Sequence, residues 1–415
     1  MRRLWRQPWT GWLEILRLAE SLAGRHRNCG RIWLCRRLPA DLSPCRGKAG
    51  IPMSKVLVIN PILYTAEHNR IPRVDSIKDT MIYSMCLGFQ EAGQEVTLIA
   101  AEDYRPGKEE DYPFPVLWFR TVGHKVFQPR CFPYMPALRG YIRKHTEYDM
   151  IVSSEVFATW SYTAARLCPD KTLIWHELAA HNNMLHQIPS RVWYHLVARF
   201  LMRRAKVVPR SAAAASFIRQ FMPRVTDTAI DHGVDLQKFP LPDRQDKEDQ
   251  FVVVSQLIAR KQIERSIEAF HGFVRQGNDG YRLCIIGKGE EEERLRNLVR
   301  DLQLENRVLF YGQMSHRELM PIVARSKALL VSTRKDNNMV SIVESIALGT
   351  PVVTTSVPYN ADYIRQEELG IVEDDWSGDA LVRIVADNKR YADNCVQYRR
   401  QLSNVACAER FFTLL

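Results

Sequence analysis

The stretch ALLVSTRKDNNMVSIVESIALGTP, residues 328–351, reads as strand, loop and helix, with a new strand beginning after it. The apolar run Ala328 to Val331 has the length of one buried parallel strand. A polar loop, Ser332 to Asn338, follows. Val340, Val343, Ile346 and Ala347 then recur at helical spacing, Gly349 and Pro351 stop the helix, and Val352-Val353 restart a strand. The loop carries Asp336, and the helix carries Glu344 eight positions later.

The amides of Met339, Val340 and Ser341 fall in a helix's first turn, where backbone N–H groups lack intrahelical partners. They face the crevice beyond the strand ends, the place where open α/β sheets bind ligands, and a phosphate fits there. Glu344, a turn further in, is placed to accept hydrogen bonds from a ribose. Asp336, before the helix, is placed to face a group beyond the phosphate. As an isolated pair, the two acids would read as a loop acid and a surface helix acid.

These residues resemble the signature of the retaining glycosyltransferases of the GT-B fold, family 4. That signature runs acid, Gly-aromatic-Gly loop, helix start, glutamate eight residues on, then Ala-x-Gly-x-Pro-Val-Val. Residues 344–353, ESIALGTPVV, match its second half. In the first half Asp336 stands for glutamate, and Asn337-Asn338-Met339 replaces the glycine-rich loop. Asparagine adopts unusual backbone angles more readily than most residues, which keeps the loop shape available. The resemblance implies an α/β, GT-B architecture: two Rossmann-like domains facing each other across a cleft.

Of the net charge of +11, a surplus of eight lies in residues 1–52, which hold eleven Lys or Arg against three acids, with four of the nine Trp. Three readings compete there. Trp12, Leu13, Ile15, Leu16, Ala19 and Leu22 form the apolar face of an amphipathic membrane arm. A targeting peptide lacks its apolar core and cleavage site. In the third, adopted here, Met53 begins the native chain and the leader is disordered or one loose helix. No apolar run approaches the roughly 18 residues that span a bilayer. Cys86, Cys131, Cys168, Cys284, Cys395 and Cys407 are scattered without a C-x-x-C pair, which fits a reducing cytoplasm rather than a disulfide framework or zinc site.

The first domain is expected over 53–239. Val56–Asn60, Glu95–Ala101, Tyr148–Ser153 and Thr172–Trp175 read as strands, and Ser76–Ala92 reads as a helix capped by Ser76. The loop after the first strand offers Glu67, His68, Asn69, Arg70, Arg73 and Asp75, facing an acceptor or only solvent. His176 ends a strand and so faces the crevice, with Ser154-Glu155 at the end of another; the resemblance implies a histidine here beside the donor sugar. His181 and His186 read as surface or packing residues. The helix Arg191–Ala205 ends among Arg199, Arg203, Arg204 and Lys206. Cations there suit a helix C-terminus or contact with anionic lipid.

Residues 240–250 form the linker, and 251–390 the second domain. Gly287-Lys288-Gly289 lacks the third glycine of a dinucleotide fingerprint, because Glu292 falls there. The next helix begins with four glutamates, residues 290–293, which would repel a diphosphate; phosphate should prefer the helix start at Met339 to Ser341. Family members carry an Arg and a Lys on the donor diphosphate. Gln256 occupies the Arg place, Lys261 keeps the Lys place, and Arg260 supplies charge beside it. Gly287, in this weak G-x-G pattern, is kept as a donor-binding candidate, and the resemblance places the nucleotide base on the backbone at Gln313 and Met314. Ser315 and Glu318 form a capping box. Residues 391–415, chiefly Tyr391 to Thr413, are expected to cross back to the first domain.

The expected activity is transfer of a sugar from a nucleotide-sugar donor to a saccharide or lipid-linked acceptor, in cell-surface polysaccharide synthesis of a bacterium. Lys261, Asp336, Glu344 and His176 are the catalytic candidates. Arg260, Lys261, Gly287, Gln313, Met314, Asn337, Asn338, Met339, Val340, Ser341 and Glu344 bind donor. No metal and no cofactor beyond the donor is expected, since no Asp-x-Asp occurs. The place of work is the cytoplasm, in peripheral contact with an anionic membrane. The alternatives are a non-catalytic nucleotide-sugar-binding subunit and a GT-B phosphorylase or epimerase. The charge distribution argues against a nucleic-acid module, and the incomplete glycine fingerprint against an NAD oxidoreductase.

Overall fold

The computed structural model describes residues 53–63, 76–78, 80–122, 134–182, 184–231, 233–241, 247–336 and 338–414. Expectations placed on the first 52 residues, the charged loop Glu67–Asp75 and Asn337 lie outside these. Two six-stranded sheets organise the chain. The first contains β1 (Lys55–Ile59), β2 (Glu95–Ala101), β3 (Val116–Phe119), β4 (Met150–Ser154), β5 (Thr172–His176) and β6 (Lys206–Pro209), in the order β3-β2-β1-β4-β5-β6. The second contains β7 (Gln250–Val254), β8 (Arg282–Ile286), β9 (Val308–Gly312), β10 (Ala328–Val331), β11 (Val352–Thr354) and β12 (Gly370–Val372), in the order β12-β11-β10-β7-β8-β9. Every pairing is parallel.

The two orders are one topology used twice. In each sheet the first and fourth strands lie side by side, and the chain winds outward from them in both directions. Connections leaving these two strands pass to opposite faces and leave a crevice at their carboxyl ends. The second crevice therefore lies between the loops after β7 and β10. Both faces of each sheet are covered, so the central strands are apolar throughout: Leu57, Ile59, Phe251, Leu329 and Leu330 are at most 1% exposed.

Local differences from the sequence reading have simple causes. Ser76 does not cap the first helix. Ile77 is buried and its carbonyl accepts from the Thr80 amide, so the helix Met81–Glu91 starts at Thr80, whose hydroxyl accepts from the Tyr83 amide. The helix read as Arg191–Ala205 is a short α-helix, Ile188–Val192, continued by a π-helix, Trp193–Leu201. The return to the first domain is narrower than 391–413. Asn388–Tyr398 packs on the second domain beside Val340–Ala347, the chain turns at Arg399–Leu402, and only Asn404–Phe412 docks on Met81–Glu91. Phe411 and Phe412 meet Phe89, with ring centroids 5.7 and 5.8 Å away.

Lys247, at the entry to the second sheet, donates to the Ala324 carbonyl and the Thr350 hydroxyl. Burial pulls its pKa from 10.5 to about 8. Below pH 8 the folded protein carries a desolvated ammonium. Between pH 8 and 10.5 the unfolded chain binds the extra proton, so this group makes stability rise with pH across that window. Urea midpoints at pH 7 and 9.5 should show that rise, reduced in Lys247→Met; equal slopes in both proteins would refute it.

Candidate functional site

At the crevice between β7 and β10, two loops are bonded into one surface. The Arg334 amide donates to the Arg260 carbonyl (2.9 Å), and the Ser332 hydroxyl to the Gln262 carbonyl (2.6 Å). Lys261 Nζ then lies 2.6 Å from Asp336 Oδ2, and Arg260 Nη1 3.1 Å from Oδ1. Thr333 Oγ1 donates to Asp336 Oδ2 at 2.8 Å, and Arg260 Nη1 to the Lys335 carbonyl at 2.9 Å. Lys261 and Asp336 keep 10% and 15% of their side-chain surface exposed, so the ion pair sits at the lip of a cleft. Beneath it, Lys261, Ser255, Thr333 and Met339 help to line a water-sized cavity of about 10 Å³ at the strand ends. The structure brings the candidates Lys261, Arg260 and Asp336 together from positions 75 or 76 residues apart, as an ion-paired group that the sequence reading did not anticipate.

The helix Val340–Ala347 starts at the same cleft, but not with three open amides. The Met339 amide donates to Asn360 Oδ1 at 2.7 Å, and Asn360 is fully buried. Met339 is the cap residue, and its amide is a structural tie. The amides of Val340 and Ser341 have no acceptor among the described residues. Asn360 was legible only as part of a turn, because nothing in Pro358-Tyr359-Asn360 says what the side chain reaches. Asn338 Nδ2 donates to the Arg210 carbonyl at 2.9 Å, joining this loop to the first domain.

Glu344, one turn inside the helix, is largely buried, with Oε1 3.0 Å from His316 Nε2. His316 stands at the start of the helix His316–Arg325, whose predicted capping box is present. It follows Gln313 and Met314, which leave β9 just after Gly312. This contact brings the turn after β9 to Glu344, and Met314 packs against the cluster holding Met339 and Val343. His316 was missed because a histidine at a helix start has no pattern marking its partner.

Gly287 lies at the end of β8, with its amide donating to the Gly312 carbonyl at 2.8 Å. It has φ +141, and a Cβ there would stand 1.8 Å from the Ser255 carbonyl oxygen. One at Gly289 would stand 2.1 Å from the Leu257 oxygen. These glycines let the loops after β7 and β8 touch along their backbones, a packing requirement rather than a phosphate fingerprint.

His176 departs from expectation. It is fully buried, not open to the crevice. Period-two alternation puts it on the same sheet face as Ile174, under the aromatic cluster of Tyr194, Phe217 and Phe221, and its ring stacks on Phe217. Nδ1 lies 2.8 Å from Glu155 Oε2 as a charge contact, but neither ring nitrogen has a hydrogen bond of good geometry among the described residues. Glu155, 25% exposed at the end of β4, has φ 63. Its Oε1 accepts from the Glu177 amide. Burial raises the Glu155 carboxyl, but the nearby charge of His176, the Glu177 amide and the Arg210 charge outweigh it and hold it below its ordinary value. The first crevice therefore presents a carboxylate with a histidine behind it. Arg210 bonds Glu177 (2.6 Å) and lies over Trp175.

Two doubly wound sheets, each with a crevice at the carboxyl ends of its two central strands, give a two-domain α/β architecture of the GT-B kind. Residues 79–238 match the family model described as Glycosyltransferase Family 4, and residues 237–402 the one described as Glycosyl transferases group 1. The chain belongs to the group 1, family 4 glycosyltransferases. It is 22% identical over 347 residues to the alpha-monoglucosyldiacylglycerol synthase of Streptococcus pneumoniae, covering 76% of each chain. It is 25% identical over 215 residues to the glycogen synthase of Mycobacterium tuberculosis, spanning about half of each (50% and 52%). Among solved structures, Anabaena HepE in complex with UDP superposes with TM-score 0.58 at 15% identity, covering 87% of this chain and 99% of that one. A glycosyltransferase from Rickettsia africae gives TM-score 0.60 at 12% identity, covering 88% and 98%. These superpositions support the GT-B fold.

Proposed function

We propose that this glycosyltransferase is retaining and metal-independent, and moves a hexosyl group from a nucleoside-diphosphate sugar to a saccharide or lipid-linked acceptor of the cell surface. One observation carries the reading: Lys261 and Arg260 converge on Asp336 at the second crevice, in the cleft where the helix Val340–Ala347 begins. The two cations take the diphosphate and stabilise it as it leaves. The amides of Val340 and Ser341 add two donors at the positive end of the helix. Asp336 holds both cations in place before donor arrives, and orients the sugar or supports positive charge on it afterwards. Glu344 accepts from the ribose hydroxyls, with the base on the backbone at Gln313 and Met314. His176, behind Glu155, acts on the acceptor side as a positioning residue. Fixed cations and helix amides take the place a metal has elsewhere. HepE has been crystallised with UDP-glucose, which supports a uridine nucleotide as the first donor to test. The Streptococcus relative's name supports a lipid acceptor, reached from the cytoplasmic side in peripheral contact with the membrane. No helix of the described residues is long and apolar enough to cross a membrane.

A thermal-shift screen of nucleotide sugars, followed by turnover of the hit against saccharide and lipid acceptors, tests the reading. Glu344→Ala should weaken donor binding roughly 10- to 100-fold, the worth of hydrogen bonds to a charged group. Calorimetry with the free nucleoside diphosphate measures it. An affinity within threefold of wild type would remove Glu344 from the ribose.

A further inference from the structure

We propose that the outer face of the helical segment 188–201 docks this protein on an anionic lipid bilayer. This rests on the lipid-acceptor reading above for its use, though not for its physics. Residues 178–226 contain eight Lys or Arg and no Asp or Glu. Within them, Ile188–Val192 and Trp193–Leu201 place residues four apart along one stripe. Tyr194, Ala198 and Met202 form the buried stripe, each 0% exposed. Ile188, Val192, Leu196 and Phe200, with Leu201, form an outer apolar stripe, with Ile188 and Phe200 61% and 59% exposed. Arg191, His195, Arg199 and Arg203 form a third stripe beside it, all exposed. Five of the large apolar side chains that the described residues leave exposed thus stand on one short segment.

A contiguous apolar stripe in water marks an interaction surface. The parallel cationic stripe selects the partner. A bilayer offers apolar chains just beneath a plane of phosphates, at the two depths such a helix presents when it lies in the interface. Arg204 is spent on Asp170, but Arg199 and Arg203 make no ion pair among the described residues and are available to phosphate. A second copy of the chain would bring the same arginines towards their own image. The start of the stripe is tied to the loop after β5, where the Ser190 hydroxyl meets His181 Nδ1 and the Asn182 amide. Docking here therefore sets the carboxyl edge of the first sheet, the acceptor side, against the lipid headgroups.

Flotation of the full chain with vesicles of phosphatidylcholine alone, or with phosphatidylglycerol added, tests this. Binding is expected only with phosphatidylglycerol, weakening with salt. Arg199→Glu/Arg203→Glu and Leu196→Glu/Phe200→Glu should each reduce it more than about tenfold, since each cation at such a surface is worth several-fold. Both changes fall on exposed positions, so unchanged circular dichroism and thermal midpoint report an intact fold. Binding that survives both variants, or that is equal on the two vesicle types, overturns the proposal. So does a concentration-dependent dimer, without vesicles, that Leu196→Glu/Phe200→Glu abolishes. UDP affinity measured on the same samples separates the two ideas. UDP bound without vesicle docking defeats the surface alone, whereas vesicle docking with no nucleotide sugar bound defeats the transfer reading instead.

Discussion

Lys261→Ala should lower kcat by roughly two to three orders of magnitude, the effect of removing one preorganised donor from developing negative charge. Lys261 reaches the cleft from the loop after β7, and its ammonium is held 2.6 Å from Asp336 Oδ2. The charge is fixed before the donor arrives, so no reorganisation is needed as the diphosphate departs. Arg260 lies on the same carboxylate but is 45% exposed, so water screens it more and it compensates only in part. Lys261→Arg should recover part of the rate, because it restores the charge and not the geometry. Steady-state rates with the donor identified by thermal shift decide the matter. A kcat for Lys261→Ala within threefold of wild type would reduce Lys261 to a structural partner of Asp336.

Gly88→Ala is the second change expected to act strongly, and it acts on the fold. Gly88 lies on the helix Met81–Glu91 where Asn404–Phe412 crosses it, and a Cβ there would stand 2.2 Å from the Asn404 carbonyl oxygen. Backbone atoms have no rotamer by which to give way. The crossing helix must lift, which loosens Phe411 and Phe412 from Phe89 and strains the hydrogen bond from the Asn404 amide to the Val234 carbonyl. A loss of about 2–3 kcal/mol is expected, at the upper end for overpacking. Gly140→Ala is the contrast: the residue lies inside the helix Pro136–Lys144 with nothing within 4 Å of its Cβ position, so it should gain about 0.5–1 kcal/mol. Urea unfolding of both variants is the measurement. Equal midpoints would mean that the close approach of the two helices is not a constraint in solution.

The sequence carried the alternation of strand and helix because apolar runs bounded by turns leave a one-dimensional trace. Glu95–Ala101 is a strand with the bounds that its composition marks. The family resemblance marked Lys261 and Asp336 as separate donor-site candidates, but their ion pair is visible only once the loops after β7 and β10 have packed. What the sequence could not carry was direction. Whether His176 faces the cleft or the core depends on which sheet face its strand turns to the π-helix, and that is a property of packing. The Met339 amide looked open because a helix start leaves donors unmatched, and only the folded chain brings Asn360, 21 residues later, on to it.

Apolar runs and turn residues along the chain marked its strands and helices, and the family resemblance supplied the two-domain α/β class and the cations expected at the second crevice. Only the tertiary structure decided that Glu344 meets His316, that Glu155 stands in front of His176, and that the segment 188–201 turns an apolar and a cationic stripe outward. The physical reason is reach. Periodicity and turn chemistry act between residues a few positions apart, whereas each of these three arrangements depends on which surfaces remain once distant elements have packed.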